Sequence, residues 1–216
     1  MDKKEQKTNI YNIIILDKSG SMQDIKQEAI SGYNETLQSI ISAQTKHVET
    51  QQHFVTLVTF NSDSTDMVYN RIVCTEAAEL TSRTYQPNSC TPLYDAMGMT
   101  LTKFRNAINM ESDNRVLVTI ITDGMENASI EYTGKQIHQM ITELEALNWV
   151  FTYIGANHNV KEAAEKMGIR NSLAYDATMQ GTKDMYKKEM MSRQRYYDKV
   201  AEGASSEELQ EGYFDF

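Results

Sequence analysis

Cysteine is scarce in this chain of 216 residues: only Cys74 and Cys90 occur, enough for one disulfide but not for a disulfide scaffold. Proline is equally rare, with 2 residues, and together with 40% hydrophobic residues this gives the composition of an ordinary soluble globular protein. Positive charge is in the minority, 21 Lys plus Arg against 30 Asp plus Glu, for a net charge of −9 and a pI near 5.0. A partner gripped by phosphate neutralisation needs clustered positive charge, so nucleic acid is not expected as a ligand. Long hydrophobic runs are missing too. The longest, Ile13 to Leu16, falls far short of the roughly 20 residues of a membrane helix, and no membrane span is expected. The charged start, Met1 to Lys7, and an apolar stretch that stops at Asp17 do not read as a secretion signal, which favours reduced thiols in the cytoplasm. Without secretion, the glycosylation acceptor spelled by Asn127-Ala128-Ser129 is a chance match. There is no repeat of solenoid period, no Gly-x-Ser-x-Gly elbow, no phosphate loop of the Walker type and no His-Glu-x-x-His helix.

What is present is an alternation. Ile10 to Leu16, Phe54 to Phe60, Val116 to Ile121 and Trp149 to Ile154 are strand-length segments rich in β-branched and aromatic residues. Between them run helical patterns, one with Ile25, Ala29, Tyr33, Leu37 and Ile40 on a single face, another with Leu93, Met97, Leu101, Phe104 and Ile108, and a third over about Ile137 to Leu147. This alternation predicts an α/β fold: a doubly wound, mostly parallel sheet with helices on both faces. Met67 to Val73 follows the second strand after the short polar turn Asn61 to Ser64, which predicts a hairpin and hence one antiparallel edge strand. Val160 to Met167 reads as a short helix and Ser172 to Tyr175 as a last strand. Length allows one domain with a tail, here residues 9–177, followed by an amphipathic helix over residues 178–200 and a mobile tail over 201–216. The Met and Tyr residues of the appended helix are expected to pack on the domain or on another subunit, and Lys187, Lys188, Arg193 and Arg195 to form a solvated face.

In open parallel sheets, ligands sit outside the carboxyl ends of the strands. Asp17-Lys18-Ser19-Gly20-Ser21 follows the first strand directly, and its alternating Asp17, Ser19 and Ser21 can aim a carboxylate and two hydroxyls at one centre. Asp123-Gly124 ends the strand Val116 to Ile121 on the same rim, and Thr91 opens the second long helix. An all-oxygen set with few carboxylates suits a hard cation such as Mg²⁺. The hydroxyls also have local roles open to them: Ser21 with Asp24 fits a capping box, Thr91-Pro92 fits an N-cap with proline at the first helical position, and Ser19 can bond within its turn.

Asp17-Lys18-Ser19-Gly20-Ser21-Met22, then Thr91, then Thr122-Asp123-Gly124 resemble the metal-ion-dependent adhesion site of von Willebrand factor type A domains, in residue type, order and approximate spacing. The resemblance covers about Asn9 to Tyr175. It implies a bacterial, intracellular protein of that family with a Rossmann-like fold. It further implies Mg²⁺ or Mn²⁺ held directly by Ser19, Ser21 and Thr91, with Asp17 and Asp123 binding directly or through water. The partner would be a protein whose Asp or Glu completes the shell. Lys18, Met22, Met125 and His158, in the loop after Ile154, are the flanking residues expected to meet that partner, with Glu126 and Asn127 facing the same question. The remaining histidines, His47, His53 and His138, lie in separate segments. The function expected is therefore a metal-dependent protein-binding module and not an enzyme. A purely structural metal is an alternative. Another is a phosphoryl hydrolase with Asp17 as nucleophile, although Ser19 stands where such a site would want a second acid.

Overall fold

The computed structural model describes residues 7–108, 114–156 and 159–215. Six strands, β1 (Thr8–Asp17), β2 (Gln51–Phe60), β3 (Thr65–Val73), β4 (Asn114–Thr122), β5 (Trp149–Ala156) and β6 (Asn171–Tyr175), form one sheet in the order β3-β2-β1-β4-β5-β6. Only β3 runs antiparallel among them, as the polar turn after Phe60 predicts. The helices are α1 (Lys26–Lys46), α2 (Leu93–Arg105), α3 (Gly134–Glu145), α4 (Val160–Lys166), α5 (Met179–Ala201) and α6 (Ser206–Gln210).

Alternation along each central strand feeds two cores. From β1, Ile10, Ile14 and Leu16 face α1 and α5, while Ile13 and Ile15 face the opposite core, built on α2, α3 and α4. β5 divides likewise, with Val150 and Ile154 on the first side and Trp149, Phe151 and Tyr153 on the second. Burial on both faces explains why these strands read as almost continuous apolar runs. The apolar stripes expected for α1 and α2 are buried in full, each large side chain contributing about 1.5–3 kcal/mol. Side-chain caps start several helices: Thr133 with Gln136 boxes α3, Thr178 accepts from the Gly181 N–H at α5, and Ser205 with Glu208 boxes α6.

The C-terminal segment differs from the expectation in two ways. Residues 201–216 are not a mobile tail over their described part. Helix α6 and the turn after it bury Leu209, Tyr213 and Phe214, and Arg195 donates to the carbonyls of Gly212 (3.0 Å), Tyr213 (2.8 Å) and Asp215. Nor does Arg193 lie on a solvated face. It is fully buried beneath α5, pairing with Glu189 at 2.6 Å and donating to Asn12 Oδ1 (3.0 Å) and Thr119 Oγ1 (2.7 Å) on the sheet. The polar residues of α5 misled because a solvated face and a polar strip on a sheet share one composition.

Helices α1 and α5 meet at Gly32, where an added Cβ would lie 2.0 Å from the Tyr186 ring. Gly32→Ala should therefore force a buried ring to move and destabilise the protein by about 1–3 kcal/mol, a drop of a few degrees in Tm, partly relieved by Tyr186→Leu in the same chain. An unchanged midpoint for Gly32→Ala would contradict this packing.

Candidate metal centre

The parallel pairing of β1 with β4 matches Leu16 to Ile121, so the next residues, Asp17 and Thr122, leave the sheet side by side. The Thr122 hydroxyl donates to Asp17 Oδ2 at 2.6 Å, and the Ser19 N–H donates to Asp17 Oδ1 at 2.6 Å. Tyr85, buried beneath, donates its hydroxyl to the Asp17 carbonyl at 2.5 Å. Asp17 has no exposed surface. Burial dominates its titration and raises its pKa to about 6, against the lowering by its Thr122 and Ser19 hydrogen bonds, with the neighbouring Asp123 charge adding to the rise.

Asp123, one residue beyond β4, is also buried. Its Oδ1 accepts from the Ser21 hydroxyl at 2.6 Å, and Ser21 Oγ lies 3.3 Å from Ser19 Oγ. Thr91 comes in from a third loop. A Cβ placed on Gly124 would lie 3.4 Å from Thr91 Oγ1 and 3.7 Å from Ser21 Oγ, so the two hydroxyls converge on the space left by this glycine. The structure thus brings Asp17, Ser19, Ser21, Thr91 and Asp123 to one rim. Two carboxylates and three hydroxyls make an all-oxygen set of the kind that Mg²⁺ and Mn²⁺ accept, completed by waters or an outside oxygen. Groups of three His, Cys, Asp or Glu able to hold a metal do not occur among the described residues, so a hydroxyl-rich set is what this rim offers.

Neither hydroxyl expected to double as a helix cap does so. The N-cap position before the 3₁₀ turn Gly20–Ile25 falls to Ser19 without a side-chain bond, and that of α2 falls to Pro92. The loops are held by other means. Asn61 accepts the N–H groups of Asp63 and Ser64 (both 3.0 Å) and donates to the Asn88 carbonyl (3.1 Å), and Asp63 accepts from Asn88 Nδ2 (2.7 Å) and Ser89 Oγ (2.9 Å). Main-chain bonds from Gly20 N–H to Ser89 C=O and from Asn88 N–H to Lys18 C=O, both 2.9 Å, then lash this clamp to the Asp17 loop. On the other side Asn127 Oδ1 accepts the Thr91 N–H at 2.9 Å. The Glu126 carboxylate accepts the N–H groups of Tyr94 (2.9 Å), Ala128 (2.9 Å) and Ser129 (2.7 Å) as well as the Ser129 hydroxyl (2.7 Å). Glu126 and Asn127 are thus positioning residues.

Of the flanking residues expected to meet a partner, Met125 is exposed beside the site. Met22 is not available: it is buried in the α1 and α5 core, because the 3₁₀ turn rotates it inward. Lys18 is committed to Asp66 in an ion pair and to Ser64 Oγ at 2.9 Å, which draws it over the β2–β3 hairpin. His158 lies outside the described residues. The roles of Tyr85, Asp63 and Asn88 were not legible; Asn and Asp in a turn are common, and nothing in their spacing marks what they clamp.

No protein-family model matches this sequence, and no curated protein matches it. Solved structures do. A von Willebrand factor type A protein from Catenulispora acidiphila aligns at 14% identity over 85% of this chain and 43% of that one, with a TM-score of 0.50. The proximal thread matrix protein 1 of the mussel byssus, solved with a zinc-occupied MIDAS motif, gives 10% identity over 87% and 46%, with a TM-score of 0.59. The pilus adhesin SpaC of Lactobacillus rhamnosus GG gives 12% identity over 89% and 31%, with a TM-score of 0.63. This chain spans less than half the length of each. Its fold is that of von Willebrand factor type A domains, as the resemblance implied.

A carboxyl whose pKa is raised in the folded state favours folding while protonated. The Asp17 contribution is therefore complete below its unfolded pKa near 4 and is lost as pH rises through about 6. In EDTA, Asp17→Asn should raise Tm at pH 7.5, and its advantage should shrink as pH falls below about 6. A variant no more stable than wild type at pH 7.5 would contradict this account of the buried carboxylate.

Proposed function

We propose that this chain is a divalent-metal-dependent protein-binding module, in which Asp17, Ser19, Ser21, Thr91 and Asp123 hold Mg²⁺ or Mn²⁺ and a partner protein supplies an Asp or Glu carboxylate to complete the shell. The observation that carries this reading is the buried Asp17 carboxylate beside Asp123, with hydroxyls from two further loop positions converging at Gly124. Asp17 is buried with neutral hydrogen-bond donors on both of its oxygens, and Asp123 lies beside it. A bound divalent ion would supply a compensating positive charge and offer an open coordination position. Asp17 and Asp123 give the site its charge, whereas Ser19, Ser21 and Thr91 contribute neutral oxygens that leave the ion electrophilic toward one more carboxylate. The zinc-occupied motif of the mussel protein, on the same fold, agrees with this reading.

Binding is favoured over phosphoryl hydrolysis by two residues. Ser19 occupies the place of the second acid, and the nearest lysine, Lys18, is engaged by Asp66 and Ser64 and directed away from any leaving oxygen. Neither nucleic acid nor membrane is proposed as a partner: the net charge is −9, and among the described residues no helix is long and apolar enough to cross a membrane. A cytoplasmic setting belongs to the same proposal and is supported by Cys74 and Cys90 standing as free thiols.

Thermal unfolding in EDTA and in about 10 mM Mg²⁺ tests the site. For a dissociation constant of roughly 1 mM, linkage predicts about 1.4 kcal/mol of stabilisation, a shift of a few degrees. Asp123→Ala should abolish the shift without unfolding the sheet. Retention of the shift in that variant, or no shift in wild type with either Mg²⁺ or Mn²⁺, would overturn the assignment. Thr91→Ala should keep most of the metal-dependent shift yet weaken metal-dependent retention of acidic peptides, and equal loss of both would remove Thr91 from its special role.

A further inference from the structure

Immediately beside the rim lies a cavity of about 190 Å³ that the metal reading does not use. It opens between the first turn of α2, the loop after Asp123 and helix α4, and its walls include Tyr94, Met125, Tyr153, Ala163 and Met167. Met125 is two residues from Asp123 and Tyr94 is three from Thr91, so the cavity and the metal centre share their framework. That framework is tied across by the Thr91 C=O, which accepts the Asn127 N–H at 3.1 Å, and by Glu126, which accepts the Tyr94 N–H.

The charged groups of this cavity lie at its edge: Glu126 is bound into the loop, and Glu162 and Lys166 pair at the exposed mouth. Glu126 is saturated by main-chain and hydroxyl donors. Glu162 pairs with Lys166 at 2.7 Å and also accepts from Asn159. Inside that mouth Tyr153 and Met167, both buried, form an apolar floor, and Tyr94, Met125 and Ala163 form the accessible walls. On the metal-dependent reading the rim takes one carboxylate, while the cavity beside it offers apolar walls inside a polar mouth.

We propose that the cavity is a specificity subsite that takes a leucine- or phenylalanine-sized apolar side chain of the partner, within a few residues of the acid that reaches the metal. The partner is then a peptide segment pairing one Asp or Glu with a nearby large apolar residue, and acid-rich segments are poor ligands. This inference rests on the metal-dependent reading above, and the test separates the two.

The probes are short glycine-rich peptides with a single Asp and either no other side chain or one Phe placed at successive positions around it, with binding followed by fluorescence anisotropy in Mn²⁺ and in EDTA. At one or more positions Phe should strengthen Mn²⁺-dependent binding about tenfold or more over the glycine peptide, the gain expected for burying one large apolar side chain. Ala163→Phe, which fills the cavity, should erase that gain while leaving the Mn²⁺-induced thermal shift in place. Met125→Ser, a change at an exposed side chain, should reduce the gain without affecting the fold. A wild type that shows the Mn²⁺ shift but no gain at any Phe position would overturn the subsite and leave the metal reading standing. Phe-peptide binding that survives EDTA would overturn the pairing of subsite and metal. Absence of the Mn²⁺ shift itself would overturn both.

Discussion

A carboxylate with no exposed surface sits where the middle of the sheet ends, and most of what surrounds it can be understood from the need to keep it there. Asp17 is held by a threonine hydroxyl and a main-chain N–H, both neutral, and a second acid, Asp123, stands close enough to raise its pKa further. Neutral donors lessen the cost of burying charge but do not cancel it. Protonation of Asp17 relieves that cost as pH falls below about 6, and a bound cation would relieve it at neutral pH. If the proposed ion binds, part of the cost of the buried Asp17 charge would return as affinity for it. The hydroxyls of Ser19, Ser21 and Thr91 fit this logic, since further carboxylates would have deepened the penalty.

The strands and main helices were legible because parallel strands buried on both faces and helices with one apolar stripe leave strong, distinct patterns. The five rim oxygens were legible because strand ends and loop starts are short in sequence and the residues fall in order. The clamp around them was not. Asn61, Asp63 and Asn88 look like ordinary turn residues, and only the fold shows that they brace the Thr91 loop against the Asp17 loop. Met22 was misread for a related reason: adjacency to a motif gives no direction, and the 3₁₀ turn points it into the core.

The underside of α5 was misread for the opposite reason. Asn12, Thr119 and Thr152 lie on strand faces that are otherwise apolar, and each is buried. Arg193 spans Asn12 and Thr119 while pairing with Glu189 on its own helix, and Tyr197 donates to the same Asn12 oxygen at 2.6 Å. A buried ion pair contributes little net stability, but removing one member leaves a buried charge without compensation. Its consequence here is register. An apolar helix can slide on an apolar sheet, whereas a guanidinium that must meet two partners on neighbouring strands fixes where α5 sits.

Acids at the rim divide by how their oxygens are occupied, and this division explains which of them can serve a ligand. Glu126 accepts four hydrogen bonds and Asp95 accepts three, from the N–H groups of Ile130, Glu131 and Tyr132. A carboxylate filled by such donors is a fixed part of the loop and has little left to offer an ion, although Glu126 is only three residues from Asp123. Asp17 is different, because its donors each use one lone pair per oxygen and its charge is left uncompensated. The loop from Gly124 to Tyr132 is thus stiffened by Glu126 from within and by Asp95 from the first turn of α2. Its exposed residues include Met125 and Ile130, next to the tyrosine-lined cavity. If the proposed ion binds here, charge at this rim would be concentrated on it, and shape and apolar contact beside it would be left to distinguish partners.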